Sequence, residues 1–361
     1  MKSKKRKIAL ILPGSIWYAP YVRIYTRILD KTNTDYSIIS WNREGDDKPE
    51  GFQYNVLCSN GHDSAGLSSY LGYIRFIKRT IRKEGFDRII VFGPQMTCLL
   101  SKFLLCHYKG RYMIDYRDLS IEQKFGFKQL FSLMLKYSCA NVISSPGFKK
   151  CLPKGNYYLS HNFDENAVRE ALDSKAKEGG FNIEGGVDVL TIGAIRDYSS
   201  NIEVVKALAN QEGFSARFIG KGDESAMLED YCKQNNVKNV FFKGFYQKPE
   251  EAGYVRSCTF MNIFYPRIVT HDTALSNRFY NSLIYRKPMI VTKNTCQGDY
   301  AEKYHVGVSI DKCSTLTEKL RWFLQQDYLE YRNQCDILLK SFMEDQEQFV
   351  NAVIEFISYD S

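Results

Sequence analysis

The residue types best placed to do chemistry sit in the stretch 275–311, LSNRFYNSLIYRKPMIVTKNTCQGDYAEKYHVGVSID. Ser276, Asn277 and Arg278 open a short helix that Lys287-Pro288 stops. An apolar strand, a small-residue loop, a second helix and the strand GVSI follow. That order predicts a helix N-terminus, with free backbone N–H groups, beside the ends of parallel strands. Such a corner suits a diphosphate. A second group is Tyr112-Met113-Ile114-Asp115-Tyr116-Arg117-Asp118, a strand running into a polar loop. Its aspartates have the chemistry to orient a hydroxyl or take its proton. The competing reading of Asp115 is that it satisfies neighbouring backbone groups. Gly14, just after the first apolar strand, lets a backbone approach a ligand, and a simple tight turn explains it equally well. His62, in Asn60-Gly61-His62-Asp63, is a single histidine in a polar loop and reads more as bystander than base.

These groups need a scaffold, and the strand and helix signals supply one. Lys7–Leu12, Tyr36–Trp41, Arg88–Phe92, Tyr112–Asp115 and Asn141–Ser144 read as strands. Helical spacing falls between them at Tyr21–Lys31, Tyr70–Lys83, Thr97–Cys106 and Phe125–Cys139. A polar, Gly-rich stretch at 175–186 marks a boundary. A second alternating series then runs through Val187–Gly193, Ala216–Gly220, Val240–Gly244 and Phe260–Phe264. Strand–helix alternation of this kind predicts an α/β protein with two Rossmann-like domains facing across a cleft. The expected domains are 1–163 and 164–345, with 346–361 as a helix crossing back to the first.

Composition narrows the class. The 361 residues fit about two domains. Ten cysteines without a C-x-x-C pair read as reduced thiols, and five histidines without a ligand spacing argue against a structural zinc. No apolar run approaches the ~20 residues a bilayer span needs, and the start reads as a strand, not a signal peptide. A cytoplasmic location is expected. Net charge is +8, unevenly spread: residues 1–160 carry 26 Lys/Arg against 12 Asp/Glu, and residues 161–361 carry 23 against 29. A basic first half implies an anionic partner. The helix Tyr70–Lys83, with Arg75, Lys78, Arg79, Arg82 and Lys83, joins Lys2–Lys7 and Lys124, Lys128 and Lys136 in favouring the anionic inner face of a membrane. Nucleic acid explains the basic half but not the second half.

The second half resembles the donor-binding domain of GT-B glycosyltransferases, in particular the retaining group 1 (family 4-like) enzymes of bacterial surface polysaccharide synthesis. The resemblance rests on Gly193-Ala194-Ile195-Arg196, on Phe218-Ile219-Gly220-Lys221-Gly222-Asp223-Glu224, and on Val240-Phe241-Phe242-Lys243-Gly244, whose following loop faces the base in that family. It rests also on Ser276-Asn277-Arg278-Phe279-Tyr280-Asn281 before Lys287-Pro288. It covers most of residues 187–312. In the first half it is weaker, resting on strand order and on Arg117-Asp118, where relatives often have His-Asp near the transferred sugar.

The resemblance implies a sugar transferase acting in capsule, O-antigen or exopolysaccharide assembly. It takes a UDP- or GDP-linked donor and a growing glycan, carried on a polyprenyl diphosphate, and retains the anomeric configuration. Arg278 and Arg196 are assigned to the diphosphate, with Lys221 as a possible addition. Negative charge grows on the β-phosphate oxygen as the sugar leaves, and guanidinium groups with the helix N-terminus at Ser276 stabilise it. No D-x-D stands at a strand end, so a metal-independent reaction without a cofactor is expected. Asp115, Arg117 and Asp118 are the candidate catalytic residues.

One departure stands out. Retaining relatives often carry two glutamates near this helix, and the one seven residues before the proline grips the ribose hydroxyls. Here Asn281 occupies that place and Thr273 its partner's, with Asp272 adjacent. Asn281 still donates and accepts as a neutral amide, without charge-assisted strength. The alternative reading is a catalytically degenerate GT-B protein that binds a glycan or a partner enzyme. An epimerase on the same scaffold is a third.

Overall fold

Short apolar runs separated by amphipathic helices become parallel strands covered on both faces. The computed structural model describes residues 6–45, 50–57, 66–174, 180–181, 183, 185–222 and 224–358. Lys2–Lys5, His62, Asp223 and most of the Gly-rich boundary lie outside the described residues. The chain divides into two units: Met1–His161 with Asp345–Ser361, and Asn162–Glu344.

The first unit runs β1 (Lys7–Ile11), α1 (Val22–Lys31), β2 (Asp35–Trp41), β3 (Phe52–Tyr54), α2 (Leu67–Glu84), β4 (Arg88–Phe92), α3 (Pro94–Leu99), α4 (Ser101–His107), β5 (Tyr112–Tyr116), α5 (Phe127–Tyr137), β6 (Ala140–Ile143) and β7 (Tyr158–Leu159). Its sheet is ordered β3-β2-β1-β4-β5-β6-β7, and the paired strands are parallel. Side chains alternate along a strand, so β1 feeds two cores. Ala9 and Ile11 pack with Tyr73, Ile74, Ile77 and Ile81 of α2 and with Phe131 and Met134 of α5. Ile8 and Leu10 pack with Val22, Tyr25 and Leu29 of α1.

The second unit runs α6 (Glu165–Asp173), β8 (Val187–Ile192), α7 (Tyr198–Leu208), β9 (Phe214–Ile219), α8 (Ser225–Gln234), β10 (Val240–Lys243), α9 (Glu251–Ser257), β11 (Phe260–Ile263), α10 (Val269–Thr273), α11 (Asn277–Ile284), β12 (Met289–Thr292), α12 (Cys296–Lys303), β13 (Gly307–Ile310), α13 (Leu316–Phe323) and the start of α14 (Tyr328–Ser358), whose residues from Asp345 on belong to the first unit. Its six-stranded sheet is ordered β10-β9-β8-β11-β12-β13, again parallel. Ile202 and Val205 of α7, Phe279 and Leu283 of α11 and Leu320 of α13 seal its core.

Several elements differ from expectation. The helix expected over Thr97–Cys106 is two helices, α3 and α4, parted at Leu100. Strand β3 and helices α9 and α10 carry too few apolar residues to announce themselves. The amphipathic segment from Gln346 is the last part of the much longer α14. Residues Phe349, Val353, Phe356 and Ile357 of α14 belong to the core built on Ile8 and Leu10.

His161 is buried after β7. Its N–H donates to Gln346 Oε1 at 3.2 Å, and its Nε2 lies 3.2 Å from Asp345 Oδ2. Burial lowers its pKa, and Asp345 opposes this only in part. The unfolded chain therefore takes up a proton first as pH falls, and stability drops below pH ~6.5. The urea midpoint should fall between pH 7.5 and 5.5, and the fall should be smaller in His161→Asn. An equal fall in both proteins would remove His161 as its source.

Candidate functional site

In the second unit the strand order reverses between β8 and β11, and the crevice beyond the carboxyl ends at such a point is where open α/β sheets hold ligands. Two loops with little side-chain bulk line it. Gly193 follows β8 and Gly220 follows β9. Gly193 N donates to Ile219 O at 2.9 Å, and Ile195 N to Lys221 O at 3.1 Å. Gly220 has φ +135°, and a Cβ there would lie 1.9 Å from Gly193 O; at Gly222 it would lie 1.7 Å from Ile195 O. Only glycine allows the loops to lie this close. Gly244, after β10, has open space around its Cβ position.

Helix α11 begins at the same edge. Ser276 is its N-cap, accepting from Phe279 N at 3.3 Å, while Ser276 N and Oγ both donate to Gln297 Oε1. The amides of Asn277 and Arg278, in the first turn, have no acceptor within their helix. Asn277 is exposed, and its Oδ1 accepts from Asn162 Nδ2 at 2.8 Å. Arg278 is only 9% exposed. Its Nε donates to Ile192 O at 2.6 Å and its Nη2 to Ala194 O at 2.9 Å, with Nη1 3.5 Å from Asn262 O. The guanidinium expected to grip a diphosphate thus spans the carbonyls at the ends of β8 and β11. It holds the Gly193 loop in place. Arg196 and Lys221 are exposed, and neither cation has a hydrogen-bond or ion-pair partner among the described residues.

A carboxylate from another helix stands beside Asn281. Asn281 Nδ2 donates to Glu251 Oε1 at 2.9 Å; Lys248 Nζ reaches the same oxygen at 2.6 Å, and Tyr246 OH donates to Oε2 at 2.7 Å. Burial works to raise the Glu251 pKa, but these three donors outweigh it and hold the carboxyl below its usual range. The sequence reading missed Glu251, whose helix α9 has a weak apolar pattern. It missed also His271, whose ring lies 4.9 Å from that of Tyr265 and whose Nε2 is 3.9 Å from Asp197 Oδ2. A Pro-Glu-Glu start after a strand end was the one available signal for α9.

In the first unit Asp115 is fully buried in β5. Tyr25 OH donates to its Oδ2 at 2.6 Å, and Arg117 Nε and Nη2 donate to its Oδ1 and Oδ2 at 2.8 and 3.0 Å. Arg117 Nη2 also donates to Ser160 Oγ at 2.9 Å, and its guanidinium lies 4.5 Å from the Tyr21 ring centroid. Both oxygens of Asp115 are taken by charge-assisted bonds, which leaves neither free to act as a base. Asp118 is the exposed acid beside this cluster; partial burial raises its pKa, Arg117 opposing and Asp115 adding. Gly14 lines a cavity of about 300 Å³ with Tyr18, Tyr21, Arg43, Glu44 and Gln95. A Cβ at Gly14 would meet nothing within 4 Å, so space alone does not demand glycine. Among the described residues no group of three or more His, Cys, Asp or Glu converges on a point where a metal ion would fit.

No family model matches the chain, and no curated protein matches it in sequence. Solved structures do match in shape. A sucrose-phosphate synthase from Thermosynechococcus elongatus superposes with a TM-score of 0.68 at 12% identity, covering 98% of this chain and 100% of that one. Anabaena Alr3699/HepE in complex with UDP gives 0.63 at 10% identity over 97% and 100%, and the same protein is known with UDP-glucose. WaaG, a glycosyltransferase involved in lipopolysaccharide biosynthesis, gives 0.61 at 13% identity over 98% and 100%. At these identities the likeness establishes the architecture: the chain has the two Rossmann-like domains of the GT-B fold.

Proposed function

We propose that this protein is a glycosyltransferase that moves a sugar from a UDP- or GDP-linked donor to a growing, lipid-linked surface glycan at the anionic inner face of the cell membrane. The observation that carries the reading is the carboxyl edge of the second unit. Bare backbone at Gly193 and Gly220, two open amides at Asn277 and Arg278, and the exposed cations Arg196 and Lys221 share that edge. Support comes also from the complexes of HepE with UDP and UDP-glucose and from WaaG's part in lipopolysaccharide biosynthesis.

In this reading the bond from the anomeric carbon to the β-phosphate oxygen breaks, the acceptor hydroxyl oxygen bonds to that carbon, and the hydroxyl proton passes to the departing diphosphate oxygen. Arg196, Lys221 and the α11 amides stabilise the charge left on the diphosphate, so no metal is needed. Arg278 keeps the Gly193 loop open and adds its field. The ribose diol meets Asn281 and Glu251 together, and the backbone after Gly244 meets the base. In the first unit Asp118, set beside Arg117, orients the sugar or the acceptor hydroxyl. Retention at the anomeric carbon follows from the family resemblance.

UDP or GDP should raise the melting temperature, and the double variant Arg196→Ala/Lys221→Ala should bind the same nucleotide about tenfold or more weakly. Glu251→Gln should weaken nucleotide binding but leave pyrophosphate binding unchanged. Thermal shift with nucleotides, nucleotide sugars and pyrophosphate reads all three. Unchanged affinity in both variants would remove the site. Binding without turnover of any nucleotide sugar would favour the degenerate reading.

A further inference from the structure

The turn that ends α11 carries a residue its backbone does not ask for. Lys287 N donates to Ser282 O at 2.8 Å and Arg286 N to Leu283 O at 3.3 Å, so Arg286 takes the left-handed place, φ +54°, that glycine usually fills. An arginine in that place strains the backbone. Its side chain is put to use. The guanidinium is only 10% exposed, donates to Leu283 O and, at 3.1 Å, to Ala171 O of α6, and pairs with Asp336 of α14. It thereby ties α6, α11 and α14 around a cavity.

That cavity has a volume of about 390 Å³, and Arg286 shares its lining with Arg256 of α9, Arg332 of α14 and two half-buried tyrosines, Tyr285 and Tyr328. All of them belong to the second unit. Arg256 is exposed and its guanidinium lies 5.1 Å from the Tyr285 ring centroid; it has no hydrogen-bond or ion-pair partner among the described residues. Arg332 donates to Ser174 O, just past α6. Burial raises the pKa of both phenols. Arg256 opposes this at Tyr285, and Arg332 and Arg286 oppose it at Tyr328, so each phenol has a cation near it and keeps its O–H as a donor. Glu170 is the one acid in the lining among the described residues, and Asp336 is already engaged by Arg286. Three guanidinium groups against two carboxylates leave the cavity cationic. The carbonyls of Ser282 and Leu283, which would repel an anion, accept from the turn amides and from Arg286.

We infer that this cavity is a second ligand site, built for a phosphate monoester that carries a ring. The phosphate meets the guanidinium forks of Arg256 and Arg332, which match its oxygens in pairs. The ring lies against Tyr285 and Tyr328. A bare phosphate would leave most of the space to water, whereas a cleft of roughly 300 Å³ or more suits an organic body. The site lies at the carboxyl end of α11, and the diphosphate corner lies at its amino end. It goes beyond the proposed function and shares no residue with the donor edge.

Calorimetric titration of the full chain at low ionic strength tests it, with phenyl phosphate as the probe. Phenyl phosphate should bind saturably and more tightly than inorganic phosphate. Arg256→Ala/Arg332→Ala should weaken it about tenfold or more, and Glu170→Gln should tighten it about threefold by removing a like charge. Arg196→Ala/Lys221→Ala should leave it unchanged. The melting temperature of each variant without ligand checks its fold. Arg256→Ala alone removes an exposed side chain that makes no described bond, and should weaken the probe about threefold or more even where the double variant fails to fold. No saturable binding, or equal binding by the chain and Arg256→Ala, would overturn the site. So would loss of binding in Arg196→Ala/Lys221→Ala, because the probe would then sit at the donor edge. Phenyl phosphate binding in a chain that binds no UDP or GDP would sink the donor reading and leave this cavity standing.

Discussion

Asp115→Ala is expected to lower the unfolding free energy by about 3–5 kcal/mol, because it leaves the Arg117 guanidinium buried without its counter-charge. The two charge-assisted bonds at 2.8 and 3.0 Å are lost, and the exposed Asp118 is a weaker counter-charge for the guanidinium. A guanidinium is not deprotonated in proteins, so the cost cannot be escaped by losing a proton. Tyr25→Phe should cost less, about 1.5–3 kcal/mol, since it removes one bond to a charged group and leaves the ion pair intact. The double variant Asp115→Ala/Arg117→Leu should recover part of the loss, because the isolated charge is gone. Urea unfolding of the four proteins measures this. A loss below about 1 kcal/mol for Asp115→Ala would mean the pair is not desolvated in the way its burial requires.

Gly220→Ala is expected to cost about 3 kcal/mol or more, and to weaken nucleotide binding at least about tenfold. The new methyl group would meet Gly193 O at 1.9 Å, and backbone cannot step aside as the end of a flexible side chain can. The positive φ of +135° adds strain of its own. Both loops must move, and with them the ends of β8 and β9. Gly244→Ala is the control, since its methyl group enters open space; it should change stability by less than about 0.5 kcal/mol. Equal effects at the two positions, read by urea unfolding and thermal shift, would show that the loop contact is not what constrains Gly220.

Apolar runs made the sheets legible in the sequence. Strands such as β4, Arg88–Phe92, are buried at every residue, so their composition alone declares them. Helix α2 was equally plain, because Tyr73, Ile74, Ile77 and Ile81 recur at the helical period and are buried, with Thr80 beside them. What the sequence hid were contacts between distant segments. Arg278 reads as a cation at a helix start; that it turns under the Gly193 loop depends on how α11 lies on the sheet. Glu251 and Asn281 are 30 residues apart, and neither position hints at the other. Asp115 was named as a candidate, yet its role changed once Tyr25, 90 residues earlier in the chain, proved to claim one of its oxygens.

The hydrogen bond from Arg6 Nη1 to Ile357 O joins residues 351 positions apart, and Phe349, Val353 and Phe356 cover the same layer as Ile8 and Leu10. A growing polypeptide therefore cannot finish its first unit when that unit's own β/α series has emerged from the ribosome. The layer on Ile8 and Leu10, which α1 covers only in part, stays open along the α14 seam until the second unit has been translated and α14 follows it out. Vectorial synthesis thus leaves that seam exposed while the second unit is being made, and assigns the act of closure to α14.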